Sequence, residues 1–205
     1  MADADTAAAS PARKNADLPV RVLSAIVMVA LAGGALVAGD PWFGWFVLAV
    51  VLATLVEFVL LVVKATTNIP YRLAALLAGT VYIGLAGYLL ALFPLPVVVG
   101  VVGVVICVDT FAYFFGRTLG GPKIAPAISP SKTWAGLLGG IVGATAWIAA
   151  WLQLGPRALP DELAGSIEDI GAAMILGVGA LTAVAAQTGD FLESWLKRKA
   201  GVKDS

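Results

Sequence analysis

Six apolar runs recur along the chain, and they constrain its fold more than any other feature. Most approach the roughly 20 residues that an α-helix needs to cross a ~30 Å hydrocarbon core. The chain is therefore predicted to be an all-α, polytopic transmembrane helical bundle with about six spans. The predicted spans are Val22–Ala38, Trp42–Val63, Leu73–Leu92, Leu95–Phe115, Trp134–Leu154 and Ile170–Ala186.

The composition supports a membrane environment. Of the 205 residues, 60% are hydrophobic and 13% are charged, which is about half the charge of an ordinary soluble domain. A soluble fold this apolar would expose large hydrophobic patches. The chain contains no histidine, so a bound metal is expected to have oxygen ligands, with Mg²⁺ as the first candidate.

Two regions are predicted along the chain. Residues 1–19 are polar and Ala-rich and are predicted to form a disordered cytoplasmic tail. Residues 20–205 are predicted to form one transmembrane domain. A cleaved signal peptide is the rival interpretation of the first apolar run, but that run is longer than a usual signal-peptide core, and five more spans follow it.

Basic residues indicate the orientation in the membrane. With six spans, twelve Lys and Arg residues fall on one side and only Arg157 falls on the other. Basic residues concentrate on the cytoplasmic side of membrane proteins. Both termini are therefore predicted to be cytoplasmic. Glycines at 136, 139, 140 and 143 form small-xxx-small patterns, which predict close helix packing.

Two acidic residues, Glu57 and Asp109, lie within apolar runs. A carboxylate there is costly, so it normally faces a partner or a wet cavity, and a functional role is the first hypothesis. A satisfied polar residue near a helix end is the alternative. For Glu57 the two hypotheses stay open.

The loop at residues 116–133 combines glycines, prolines, basic residues and hydroxyls. Its hydroxyl groups lie where the next helix begins, and a helix N-terminus favours phosphate. An ordinary basic loop that ends in a Ser or Thr cap explains the same residues. The candidate phosphate-binding residues are Arg117, Lys123, Ser129, Ser131, Lys132 and Thr133.

The C-terminal segment places polar residues on one helical face. At 100° per residue, five polar side chains fall within an arc of about 140°, with apolar side chains opposite. Carboxylates on this face could hold Mg²⁺ and cations could hold phosphate. An amphipathic interfacial helix with i,i+4 salt bridges is the alternative. The five residues are Asp190, Glu193, Ser194, Lys197 and Arg198.

Three segments resemble the cytoplasmic motifs of the phosphatidate cytidylyltransferases, also called CDP-diacylglycerol synthases. They are DTFAYFFGR at residues 109–117, PKIAPAISPSKTWAG at 122–136 and GDFLESWLKRKAGVKDS at 189–205. The third carries most of a family signature, formed by Ser194, Lys197-Arg198 and Lys203-Asp204. The resemblance covers residues 109–136 and 189–205 well. The earlier spans match the family only in being apolar and contain none of its motifs.

The resemblance implies that CTP and phosphatidate give CDP-diacylglycerol and pyrophosphate, with Mg²⁺ and room for a further monovalent or divalent cation. It implies Asp190 as a metal ligand, with Asp109 as a weaker candidate. The implied catalytic residues are Asp109, Lys132, Asp190 and Lys197. The implied substrate and phosphate contacts are Arg117, Lys123, Ser129, Ser131, Thr133, Glu193, Ser194, Arg198, Lys203 and Asp204.

The same resemblance sets the expected setting and partners. The chain is expected in a bacterial-type inner membrane, with its active face cytoplasmic and membrane lipids around it. A homodimer is a further expectation, and no nucleic-acid partner is expected. The rival functions are a CTP-dependent lipid-alcohol kinase and a small non-enzymatic transporter or packing subunit.

Three departures from the family pattern bear on activity. The family usually has Gly where this chain has Phe111, and Glu where it has Ala135. It also continues beyond Ser205 with a Pro-Gly-His-Gly-Gly stretch, an Asp-Arg-x-x-Asp metal motif and a last membrane helix. Relative to the family, the sequence is therefore expected to be either a fragment that is incomplete at its C-terminus or a degenerate relative with an incomplete metal site. The 205-residue chain is expected to have little activity by itself.

Overall fold

The computed structural model describes residues 18–154 and 170–202. The chain divides into two compact units, residues 1–49 and 50–205. The described elements are α1 (Leu18–Ala38), α2 (Trp42–Ala65), α3 (Ile69–Leu92), α4 (Leu95–Thr118), β1 (Lys123–Ala125), β2 (Ser129–Thr133), α5 (Trp134–Leu154) and α6 (Ala172–Lys199). The predicted tail at residues 1–17 and the acidic loop with Arg157 lie outside the described residues.

The polytopic helical bundle is confirmed. Helices α2 to α6 are each long and apolar enough to cross a membrane. The first predicted span falls in α1, whose apolar stretch runs from Ile26 to Ala38. Large apolar side chains such as Leu77, Ile106 and Leu181 are exposed on the chain, as expected where lipid rather than water is the solvent.

In the first unit, α1 ends at a tight turn before α2 begins. Gly39 has a φ of 66°, a left-handed conformation that glycine adopts without a steric penalty. The backbone N–H of Gly39 donates to the carbonyl of Ala35. The sequence Gly-Asp-Pro therefore closes the first helix and starts the next within a few residues.

The turn from α2 to α3 is fixed by polar side chains. Asn68 caps α3, and its side-chain oxygen accepts from the N–H of Tyr71 at 3.4 Å. Arg72 donates to the carbonyls of Val63 and Thr66 at the end of α2. These bonds satisfy backbone groups that a helix end leaves open. They explain why α3 begins at Ile69, four residues earlier than the predicted start of its apolar run.

Helices α4 and α5 pack closely through glycine, as the small-xxx-small patterns predict. A Cβ added at Gly139 would lie 2.6 Å from the carbonyl oxygen of Phe111, and one at Gly143 would lie 2.7 Å from that of Cys107. Gly140 lies against Val108. Because these positions lack side chains, the two backbones approach each other closely.

Helix α6 completes a three-helix group with α4 and α5. Its Ala183 joins Val108 of α4 and Ala144 of α5 in a buried core. Gly179 lies against Thr145, where an added Cβ would meet the Thr145 hydroxyl at 2.4 Å. The small residues of α5 thus face both neighbouring helices.

Residues 123–133 form a β-hairpin, which corrects the prediction of an irregular loop. Strands β1 and β2 pair antiparallel, with Lys123 opposite Thr133 and Ala125 opposite Ser129. Proline cannot donate to a strand ladder, and Pro130 is the one proline of this segment that lies within a strand. A two-stranded hairpin has only edge strands, so prolines are tolerated there.

Helix α6 is longer than predicted. The prediction ended the last span at Ala186 and placed a separate polar segment after it. Instead, α6 is one uninterrupted helix of 28 residues from Ala172 to Lys199. Gly189 lies within the helix and does not break it. One rigid element therefore carries both the apolar span and the polar face.

Candidate functional site

A polar cleft of about 570 Å³ lies at the end of the three-helix group where the hairpin packs. Helices α4 and α6, the hairpin and the first turn of α5 supply its walls. The lining residues are Asp109, Ala112, Tyr113, Gly116, Arg117, Lys123, Ser131, Lys132, Thr133, Gly136, Gln187 and Asp190.

An ion pair between Lys132 and Asp190 joins the hairpin to α6 across this cleft. The side chains are only partly shielded, with 30% of Lys132 and 41% of Asp190 exposed. The two residues lie 58 positions apart in the sequence. The fold therefore places Asp190, the expected metal ligand, beside Lys132, one of the candidate phosphate-binding residues.

Asp109 lies on α4 and lines the same cleft as this ion pair. It is close enough to Asp190 and Lys132 for electrostatic interaction with both. The fold thus brings two carboxylates and one ammonium group together from three elements. Such a set can bind a cation through its oxygens and a phosphate through its ammonium group.

The hydroxyls of β2 divide into two kinds. Thr133 is buried, and its Oγ1 accepts from the N–H of Gly136 at 3.0 Å. Thr133 is therefore the N-cap of α5. For this residue the alternative prediction, a Ser or Thr cap at the end of the loop, is confirmed. Ser129 and Ser131 have their Oγ atoms 3.4 Å apart, and Ser131 lines the cleft.

Two further basic residues line the cleft. Arg117, in the last turn of α4, donates from Nη1 to the Tyr113 hydroxyl at 2.9 Å and lies 5.8 Å from the Tyr113 ring centre. Lys123 begins β1 on the other side of the hairpin. Together with Lys132 they give this cleft three cationic side chains, a composition suited to polyanionic ligands.

The polar face of α6 beyond Asp190 does not line this cleft. Glu193 pairs with Lys197 at 2.8 Å, an i,i+4 salt bridge. Arg198 donates from Nε to the carbonyl of Ile128 at 2.6 Å. Ser194 lies on the same face and is absent from the lining. Their predicted contacts with substrate stay predictions. Lys203 and Asp204 lie outside the described residues.

The sequence analysis did not predict two polar side chains that line the cleft, those of Tyr113 and Gln187. Tyr113 lies four residues after Asp109 and Gln187 lies three residues before Asp190. Both separations place side chains on the same helical face. Extending the polar face of each helix by one turn would have found them.

The two substitutions relative to the family pattern do not line the cleft. Phe111 packs against Gly143 of α5 and stacks with Phe115 at a ring-centre distance of 6.3 Å. Ala135 is half-buried. Neither is among the residues that line the cleft. Glu57 has an exposed side chain on α2 and does not line it either.

The comparisons with known proteins agree with this arrangement. The cytidylyltransferase family profile matches residues 92–205, which include the three-helix group and the hairpin. A phosphatidate cytidylyltransferase of Brucella abortus is 37% identical over 134 residues, covering 62% of this chain and 45% of the relative. The phosphatidate cytidylyltransferase of Rickettsia bellii is 30% identical over 197 residues, covering 94% of this chain and 80% of the relative.

The extent of these matches differs between relatives. The chain spans about half the length of the Brucella relatives that it matches. No solved structure matches the chain significantly. The family profile covers more than half of the sequence, including every residue of the polar cleft. The chain therefore belongs to the cytidylyltransferase family.

Proposed function

We propose that this chain contains the substrate-binding cleft for the CTP:phosphatidate cytidylyltransferase reaction, which forms CDP-diacylglycerol and pyrophosphate. The observation that carries the proposal is the cleft in which the Lys132–Asp190 pair lies beside Asp109. Membership in the family and the names of its relatives supply the reaction class.

The reaction requires two polyanions to meet. A phosphate oxygen of phosphatidate attacks the α-phosphorus of CTP. A new P–O bond forms as the bond from the α-phosphorus to the bridging oxygen breaks, and pyrophosphate leaves with its electron pair. Catalysis of such a transfer depends on positioning and on offsetting negative charge. The cationic lining of the cleft meets both requirements.

Lys132 is proposed to hold phosphate oxygens. Its ammonium group has three donors, so it can keep Asp190 as a partner and still bind an entering phosphate. Ser131 adds a hydroxyl from the same strand, and Arg117 and Lys123 add positive charge to the lining of the cleft. These residues are proposed to hold the triphosphate of CTP and the phosphate of the lipid.

Asp190 and Asp109 fit Mg²⁺ as its protein ligands. Mg²⁺ is usually bound by one or two carboxylates together with substrate phosphates rather than by an all-protein cage. Among residues 18–154 and 170–202, no group of three or more acidic, His or Cys side chains is placed to hold a metal. A two-carboxylate site completed by phosphate oxygens matches this donor set. When bound, Mg²⁺ would offset charge on the reacting phosphates.

The position of the radiolabel in the product tests the proposal. The full-length protein is incubated in detergent micelles with Mg²⁺, phosphatidate and CTP labelled at either the α- or the γ-phosphate. A cytidylyltransferase transfers only the α-label to lipid. Transfer of the γ-label, with a lipid alcohol as acceptor, would identify the rival kinase. No transfer of either label would favour a non-enzymatic role.

The cleft is proposed to face the cytoplasm from a bacterial inner membrane, with both termini on that side. Twelve basic residues fall on the proposed cytoplasmic side, in line with the positive-inside rule. Single cysteines in a Cys107→Ala background test this orientation. A cysteine at Pro122 should react only after the membrane is permeabilised, and one at Phe93 should react from outside. Reaction at Pro122 from outside would reverse the orientation.

A homodimer in the membrane is also proposed, on the resemblance alone. Cross-linking of the full-length protein in lipid, with the monomer mass as reference, tests this proposal. Only monomer at every protein-to-lipid ratio would contradict it.

A further inference from the structure

Strand β2 lies along the last turns of α6 and is held there at two points. Lys132 pairs with Asp190, and the carbonyl of Ile128, just before the strand, accepts from Arg198. Eight helical residues from 190 to 198 rise about 12 Å, and four strand residues from 128 to 132 span about 13 Å. The two lengths match, so the contacts hold both ends of β2 against one helix.

The contact at Arg198 is directional. The Nε atom donates to the Ile128 carbonyl at 2.6 Å, and the N–H of Ile128 donates to the Ala125 carbonyl at 3.0 Å. The bonds on Ile128 therefore close the hairpin turn and attach it to α6. A planar guanidinium holds such a geometry better than a flexible ammonium does.

The contact between Arg198 and Ile128 helps to fix the position of two residues that line the cleft. Ser131 and Lys132 follow Ile128 by three and four residues on the same strand. At its other end the strand is fixed by the Thr133 cap. Release of the Arg198 contact would leave the turn end of the hairpin free to move, and with it the Ser131 hydroxyl.

We infer that Arg198 is a positioning residue that holds β2 at the correct place for phosphate binding. The inference rests on the proposed function. It differs from the expectation that Arg198 contacts a substrate phosphate, because the groups involved are different. Positioning needs the Nε donor, whereas phosphate binding needs the positive charge.

Three substitutions separate the donor from the charge. Arg198→Gln places an amide nitrogen at the same point along the side chain as the arginine Nε, and it removes the charge. Arg198→Lys keeps the charge but moves the donor one atom further out. Arg198→Met removes both. Lys199→Gln is the matched control, because it removes a charge from the next residue, whose Nζ lies 6.0 Å from the Trp195 ring centre.

The full-length variants are assayed for kcat/KM with α-labelled CTP, and the thermal midpoint in detergent verifies folding. Arg198→Met should lower kcat/KM about tenfold, the effect expected from one lost charge-assisted hydrogen bond. Arg198→Gln should recover most of that loss, and Lys199→Gln should stay within about twofold of wild type. Recovery by Arg198→Lys but not by Arg198→Gln would overturn the inference and make Arg198 a phosphate ligand.

A second readout does not depend on turnover. Ala127 is exposed in the hairpin turn, and a nitroxide attached to Ala127→Cys in a Cys107→Ala background reports the mobility of that turn. Mobility should rise in Arg198→Met and not in Arg198→Gln. Equal mobility in both would overturn the inference. A wild-type protein that forms no labelled lipid would instead overturn the proposed function itself.

Discussion

The two ends of the α4–α5–α6 group are held together by different interactions. At the apolar end, the indoles of Trp147 and Trp151 pack on Gly103 and Gly100 of α4. Their Nε1 atoms donate to the carbonyls of Gly100 and Pro96 at 2.9 and 3.2 Å. At the polar end, the Lys132–Asp190 pair and the Thr133 cap connect the hairpin to the helices.

The difference separates stability from chemistry. In a membrane the lipid tails are as apolar as the helices, so close packing and a few hydrogen bonds hold the helices together. Charged groups are costly there and are retained where they function. Substitutions at the apolar end should therefore change stability, and substitutions at the polar end should change activity. Four predictions test this division, in order of decreasing effect.

The largest effect is expected for Asp190→Asn, which keeps the side-chain shape and removes the carboxylate. Loss of a proposed metal ligand and of the partner of Lys132 should lower kcat/KM about a thousandfold, or about 4 kcal/mol. The thermal midpoint should change little, because Asp190 is part-exposed. Asp40→Asn, in the turn before α2, is the control. An Asp190→Asn enzyme within tenfold of wild type would contradict the role of this carboxylate.

Gly143→Ala should destabilise the three-helix group by about 2 kcal/mol. The new Cβ would lie 2.7 Å from the carbonyl of Cys107 and 2.8 Å from the Phe111 ring, so backbone must move. Gly177→Ala on α6 is the matched control, since nothing lies within 4 Å of its Cβ position. Thermal midpoints in detergent measure both. Equal midpoints for the two variants would show that α4 and α5 do not depend on this contact.

Thr133→Val should lower the free energy of unfolding by about 1 kcal/mol, because it removes the acceptor for the N–H of Gly136 without changing the side-chain shape. Thr133→Ser keeps the acceptor and should recover most of the stability. Thr133 lies at the polar end and lines the cleft, so a modest loss of activity is also expected. If the Ser variant were no more stable than the Val variant, the cap would not be the source of the effect.

The smallest effects are expected at the indole contacts. Trp151→Phe and Trp147→Phe each remove one hydrogen bond, worth about 0.6 kcal/mol on average between membrane helices, and some packing volume. The kcat/KM of the folded enzyme should stay within about twofold of wild type. A large loss of activity with an unchanged thermal midpoint would show that the apolar end takes part in the chemistry.

Much of the site could be predicted because its residues belong to short local motifs. Asp109, Lys132 and Asp190 were each predicted from their own segments, and the fold brings them together. The roles of Ser129, Thr133 and Arg198 could not be separated in this way. A hydroxyl beside a helix start can cap the helix or bind phosphate, and only the direction of its hydrogen bond decides between them.

The amino-acid sequence predicts the helical bundle, its approximate spans and the close packing at the glycines of α5. These follow from apolar run length and residue size, which are local properties. Tertiary structure alone decided that residues 123–133 form a hairpin, that α6 continues through Gly189 to Lys199, and that Arg198 holds Ile128. The hairpin is attached to α6 by the Lys132–Asp190 pair and by the Arg198 contact, which join residues 58 and 70 positions apart in the sequence. The sequence does not reveal that α6 continues through Gly189, because glycine lowers the local helix propensity without necessarily ending the helix.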